Sequence, residues 1–262
     1  NRAEMRIFKR SYWSVPYLIF MLMFVVMPLV MIAIYSFTDA SGSFTLANFK
    51  RFFTTPEDLH TFAYSIEVAL ITTVLCLLLG YPAAWILSNA KLNRSKVTVM
   101  LFILPMWINM LIRTLATVAL FDFLRLPLGE GALIFGMVYN FLPFMILEIH
   151  TSLSKMDPSF LEAASDLGAN RVQAFRRVTL PLSIPGIISG ITLVFLPAVS
   201  SFFIPKLLGG GQYVLIGNVI ESQFLTSGNW SFGSALSLIM VIIIMISMYL
   251  TRKIDRNVGD EI

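Results

Sequence analysis

The chain has 262 residues, of which 57% are hydrophobic and 13% charged, with 22 Phe, 14 Met and a formal net charge of +4. Water-soluble domains run nearer ~25% charged, so these side chains are too apolar to clothe a compact body in water, and the solvent they fit is a lipid bilayer. The lone Cys76 excludes an internal disulfide, and His60 and His150 lie too far apart in sequence to suggest a metal-ligand pattern.

Crossing the ~30 Å of hydrocarbon takes about 20 mostly apolar helical residues. Six stretches meet that test, at 15–37, 62–87, 97–121, 131–147, 184–204 and 232–251. The expected fold is therefore all-α, a polytopic membrane protein with six transmembrane helices forming one permease-like domain. The first, fifth and sixth stretches carry no charge, whereas the second holds Glu67, the third Arg113, and the fourth stops at Glu148. The basic cluster before the first stretch has the look of a signal peptide, but the apolar run is too long and no small-residue cleavage site follows, so it reads as a retained span.

Lys and Arg gather in alternate connections. Arg2, Arg6, Lys9 and Arg10 precede the first span; Lys91, Arg94 and Lys96 join the second and third; Lys155, Arg171, Arg176 and Arg177 join the fourth and fifth; Arg252, Lys253 and Arg256 follow the sixth. The intervening connections hold only Lys50, Arg51, Arg125 and Lys206. Positive charge is retained on the cytoplasmic side, which places both termini there and explains the basic balance without nucleic acid as a partner. Pro28, Pro82, Pro105, Pro143 and Pro197 interrupt the spans. Each removes a helix hydrogen bond, either as a packing kink or beside a watery pathway.

The connection between spans four and five reads as two short helices over 157–181. Asp157 is placed to cap the first, with Pro158 at its first position and Gly168 at its end, while Asn170 and Gln173 have capping-box spacing and Leu180-Pro181 stops the second. Phe160, Ala164 and Leu167 form an apolar face that this chain has little to cover, suited equally to a partner's cleft and to lipid headgroups.

Within that loop, EAASDLGANRVQAFRRVTLP resembles the EAA motif of ABC importer permeases. Glu162, Ala163, Ala164, Gly168, Leu180 and Pro181 match it, and Val178 stands where Ile is usual. Six such matches arise by chance in about one window per ten million at ordinary residue frequencies. Similarity extends along most of the chain to the permeases of spermidine/putrescine importers, through LGYPAAWIL at 79–87, LPMWINMLIRT at 104–114, VYNFLPFMI at 138–146 and the segments from Leu196 to Leu225. One departure is the short outer connection 122–130.

This resemblance implies a type I importer permease fold in a bacterial cytoplasmic membrane. It also implies that the loop docks on a separate cytoplasmic ATPase, in two copies, which would hold the ATP and Mg2+; no cofactor is expected in this chain. A second related permease and an extracytoplasmic substrate-binding protein are the other expected partners. No G-x-x-x-x-G-K-[ST] run occurs, and no nucleophile-base or metal arrangement stands out, so the chain reads as a non-catalytic transport subunit.

Candidates for a solute path are Glu67, Trp107, Asn109, Arg113, Asp122, Tyr139 and Phe202. Acids at the outer mouth suit a cation and aromatic faces suit ammonium groups, with structural pairing of Arg113 with Glu67 or Asp122 as the plainer alternative. Polyamine cargo follows from the resemblance alone, and ferric iron, thiamine or an oxyanion would suit the residues too. An ion-coupled secondary transporter is the competing class, although the halves show no inverted repeat.

Overall fold

The computed structural model describes residues 15–39, 41–89 and 96–261, with backbone alone described at 96 and 254–261. Arg2, Arg6, Lys9, Arg10, Lys91 and Arg94 lie outside the described residues, as do the side chains of Lys96 and Arg256. Among the described residues the fold is helical, with an isolated β-bridge between Thr38 and Phe44.

In chain order the elements are α1 (Val15–Ser36), α2 (Ala47–Thr54), α3 (Pro56–Ser88), α4 (Lys96–Trp107), α5 (Met110–Phe123), α6 (Glu130–Ser154), α7 (Ser159–Asp166), α8 (Arg171–Val199), α9 (Phe203–Leu208), α10 (Ile216–Leu225) and α11 (Trp230–Glu261). Five of these are long and apolar enough to cross a bilayer, and the bent pair α4–α5 brings the total to as many as six. They fall into two compact units, one running to Pro56 and adding Ile220–Ile242, the other comprising Glu57–Val219 and the described residues from Ile243.

In the first unit, α1 buries none of its apolar window, which costs nothing where the solvent is hydrocarbon. Asn48 donates from Nδ2 to the carbonyls of Ser36 and Thr38, tying α2 to the end of α1. Arg51 lies 4.0 Å over the Phe232 ring, the expected place for a guanidinium beside a buried aromatic.

The second unit is built on α3, α6 and α8. Met145 of α6 is fully buried, and a Cβ added at Gly80 of α3 would meet its Cγ at 3.0 Å, while one at Gly190 of α8 would meet its Sδ at 2.6 Å. One turn earlier on α8, a Cβ on Gly186 would lie 2.4 Å from the Ser152 Cβ and 3.0 Å from the Glu148 carbonyl oxygen. Glycines four apart thus let α8 lie almost backbone-to-backbone on α6, the small-residue device by which helices associate in lipid. Cys76 simply packs here, buried, with its thiol 3.8 Å from the Val138 carbonyl.

Three sequence expectations are corrected. The span expected at 97–121 is not one helix: α4 and α5 meet at a bend of 95°. Pro105 withholds a donor near the end of α4, and Asn109, in an extended conformation (φ −53°, ψ 133°), caps α5 by accepting the Leu111 N–H at 2.8 Å. An apolar composition window cannot register that break.

The second correction concerns Leu180-Pro181, which does not stop the second loop helix. α8 runs unbroken from Arg171 to Val199 because Phe175–Thr179 forms a π-helical turn in which the Leu180 N–H reaches the Phe175 carbonyl. α1 repeats this arrangement, with a π turn at Leu22–Val26, the Met27 N–H on the Leu22 carbonyl and Pro28 next. A proline lacks an N–H and crowds the carbonyl four residues back, and widening the preceding turn makes room for its ring.

Third, the helices do not end where the apolar stretches do. The helix through 131–147 continues past Glu148 to Ser154, because a single charge does not interrupt a helix. The stretch 184–204 ends at Val199 and re-forms as α9 after a turn. Asn218 holds the turn by donating to the Phe202 carbonyl at 2.7 Å, and a Cβ on Gly217 would sit 2.7 Å from the carbonyl oxygens of Ser200 and Ser201. The apolar segment near 213–225 supplies α10, which is too short to span.

Candidate functional site

The loop between α6 and α8 is a defined helix-turn-helix. Ser159 donates its N–H to Asp157 Oδ1 at 2.9 Å, so Asp157 caps the start of α7, with Pro158 between them in helical conformation (φ −57°, ψ −25°). At the other end Gly168 adopts φ 79°; its N–H reaches the Ser165 carbonyl and the Ala169 N–H the Ala164 carbonyl. Those two bonds are a Schellman closure, which needs a left-handed residue where glycine is least costly. Two residues later Asn170 Oδ1 accepts the Gln173 N–H at 2.9 Å and Gln173 Oε1 accepts the Asn170 N–H at 2.9 Å, a complete capping box.

No residue of α7 is buried. Phe160 is 52% exposed and Leu167 88% exposed, with Glu162 and Ala163 on the surface and Ala164 half-covered. Phe160 opens onto a groove of about 510 Å3 whose walls include Lys155, Asp157 and Pro185. Behind the loop, Leu161, Ala169 and Val172 share a second groove of about 810 Å3 with Pro82 and Trp85 from the end of α3. Tyr81 fastens α3 to α8 there, its hydroxyl 2.9 Å from Ser183 Oγ and its ring edge-on to Phe175 at 5.8 Å. The loop is thus rigidly seated on the helices below while its outward apolar face remains bare. Leu180 and Pro181, both half-buried, lie in the continuous helix rather than in a hinge.

Asp157 supplies a pH prediction. The hydrogen bonds from Ser159 hold its carboxyl below the usual carboxylate range. A lowered folded-state pKa means that the cap contributes fully above the ordinary carboxylate value and fades as pH falls through the lowered one. Protection of the Ser159 amide against hydrogen exchange, corrected for intrinsic rate, should be flat near neutrality and drop in acid. In Asp157→Asn the acid step should vanish.

The solute-path candidates are only partly brought together. Arg113 is 5% exposed, with its Nε and Nη1 lacking hydrogen-bond partners among the described residues and its guanidinium 5.9 Å from the Tyr139 ring centroid. Among the described residues Arg113 pairs with neither Glu67 nor Asp122, the latter lying nine positions along the same helix, about 13 Å at ~1.5 Å per residue. Glu67 and Asp122 are exposed, and Trp107, the last residue of α4, is 85% exposed. Asn109 serves as the α5 cap, and Phe202 stacks on Phe203 at 4.2 Å.

Sequence reading missed Asn140, which is buried against Thr114, the residue after Arg113. Its Nδ2 donates to the Gly136 carbonyl at 2.9 Å and approaches Thr114 Oγ1 at 3.4 Å, while Oδ1 has no partner among the described residues. An amide inside an apolar run was the available signal. Gly186 and Gly190 were missed too, although their four-residue spacing is plain in the sequence.

Residues 5–260 match the profile of binding-protein-dependent transport system inner membrane components. The chain belongs to that family. It is 37% identical over 268 residues to the spermidine/putrescine transport system permease protein PotB of Haemophilus influenzae, covering 92% of this chain and 93% of the relative. Against PotB of Escherichia coli (strain K12) the identity is 37% over 265 residues, covering 92% and 96%. Among solved structures, a permease of a bacterial alginate ABC transporter, in complex with a pentasaccharide-bound periplasmic protein, superposes with a TM-score of 0.74 at 17% identity over 98% of this chain and 97% of that one. A chain of the MetNI methionine ABC transporter in an inward-facing conformation gives 0.63 at 19% identity, over 76% and 95%. This protein is therefore an ABC importer permease of the inner membrane, with the fold of those transporters.

Proposed function

We propose that this permease imports polyamines, and that its 157–181 loop is the element through which a separate cytoplasmic ATPase, present in two copies and holding ATP and Mg2+, drives alternating access. The observation that carries the reading is the loop itself. Glu162, Ala163, Ala164 and Gly168 lie on an ordered helix-turn-helix whose apolar outer face is uncovered, and whose second helix is continuous with a membrane span. A second, related permease completes the pore, an extracytoplasmic binding protein delivers cargo, and both termini face the cytoplasm.

The polyamine assignment is supported by the names of the relatives and by the chemistry of the outer candidates. Glu67 and Asp122 are exposed carboxylates that draw a cation, and the open Trp107 face is available to an ammonium group. The Tyr139 ring is engaged by Arg113, which leaves it a lesser ammonium shelf.

The test is purification with co-expressed partners followed by ATP hydrolysis across spermidine, putrescine, ferric iron, thiamine and an oxyanion, each with its binding protein. Stimulation by a polyamine, with vesicle uptake that needs internal ATP after ion gradients are collapsed, is expected. Uptake that follows the ion gradient and ignores ATP would falsify the coupling. Stimulation by another solute alone would reassign the cargo. In Glu67→Gln with Asp122→Asn, polyamine uptake should fall about tenfold, the scale of losing one charge-assisted contact; unchanged uptake removes both acids from the path.

A further inference from the structure

A groove of about 330 Å3 lies between α6, α8 and the inner part of α11, adjoining the groove beside Phe160, with which it shares Glu148 and Ser189. Its lining combines the apolar side chains of Ile188, Leu193 and Met248 and the hydroxyls of Ser189, Thr192 and Thr251 with one carboxylate, Glu148, and one guanidinium, Arg252. Among the described side chains neither charged group has a hydrogen-bond or ion-pair partner, and the two line one groove without bridging it. Glu148 follows the apolar run of α6, and Arg252 stands in the last turn of the apolar stretch Trp230–Lys253. This is the level at which span surface gives way to lipid headgroups.

We propose that this groove binds a zwitterionic aminophospholipid of the phosphatidylethanolamine type. Its phosphate lies on Arg252, its primary ammonium on Glu148, and the start of an acyl chain on Ile188, Leu193 and Met248. Charge complementarity selects this occupant. A net-anionic headgroup satisfies Arg252 and is repelled by Glu148, and a simple cation does the reverse. A choline head has the right charges but no N–H to give the carboxylate, whereas a primary ammonium gives up to three. The site also has mechanical reach, because Ile188 and Leu193 belong to the helix that begins in the coupling loop.

The experiment is native mass spectrometry of the purified full-length permease with its co-expressed partners, delipidated and then offered dioleoyl phosphatidylethanolamine, phosphatidylglycerol or phosphatidylcholine. Wild type should retain the ethanolamine lipid about tenfold better than the choline lipid, the scale of one charge-assisted hydrogen bond. Glu148→Gln should lose that preference and gain phosphatidylglycerol, and Arg252→Gln should weaken both. Leu193→Trp, which fills the apolar part of the groove and leaves both charges, should displace the lipid, and thermal unfolding of each variant separates this from misfolding. Equal retention of the three lipids by wild type overturns the proposal, as does a wild-type preference for phosphatidylglycerol or unchanged retention in all folded variants. So does absence of retained lipid with a crosslink from Leu193→Cys to the second permease, which would show another chain seated there.

Discussion

Leu167→Asp is expected to abolish ATP-driven uptake and co-purification of the ATPase while leaving the permease itself intact. Leu167 is 88% exposed, so exchanging it changes little in the isolated chain, within about ±0.5 kcal/mol for a surface substitution. In the docked complex the same carboxylate would be buried opposite an apolar cleft without a partner. A penalty of several kcal/mol follows, equivalent to roughly a hundredfold or greater loss of association. Unchanged melting of the permease together with lost association separates docking from folding. Retained uptake would mean that this face meets lipid headgroups instead. Gly168→Val probes the same loop through the backbone. The space beside Gly168 is open, so the cost, about 1–2 kcal/mol, comes from φ 79° alone.

The largest effect on the membrane core is expected at Gly186. A Cβ there would lie 2.4 Å from the Ser152 Cβ and 3.0 Å from a backbone carbonyl of α6, neither of which can step aside without separating α6 from α8. Gly186→Val should therefore cost more than the ~1–3 kcal/mol usual for overpacking and leave little assembled protein. Gly190→Ala is the graded control. Its new Cβ meets the Met145 Sδ at 2.6 Å, the movable part of a flexible side chain, so its cost should be the smaller of the two. Detergent-solubilised melting temperatures rank the variants, and a reversed order would show that the seam between α6 and α8 is not the tight one.

The fold was legible where the signal is local. Gly168 and the Asn170–Gln173 pair are turn and cap chemistry contained within four residues, and they fold as their spacing requires. Charge-free runs such as 15–37 likewise announce helices. What escaped depends on geometry that an apolar window averages away. The bend at 108–109 rests on one missing donor at Pro105 and one capping amide at Asn109, inside a run apolar enough to pass for a single span. Leu180-Pro181 reads as a stop because a proline usually ends an α-helix, yet the helix widens into a π turn ahead of Pro181 and continues past Pro185 and Pro197.

The candidate site divides along the same line. The 157–181 loop carries its own signature, whereas the surroundings of Arg113 are assembled from α5 and α6. Asn140, 26 positions along the chain, meets Thr114 only once those helices fold together.

The unbroken α8 has the geometry of a lever resting on α6. From Gly186, where it presses closest on α6, Arg171 is about 22 Å away along the axis and Val199 about 20 Å, at ~1.5 Å per residue. With arms so nearly matched, a tug at the lower tip swings the upper tip by a comparable distance in the opposite sense. On the proposed function, such a lever would carry a displacement of the 157–181 loop to the far end of the helix.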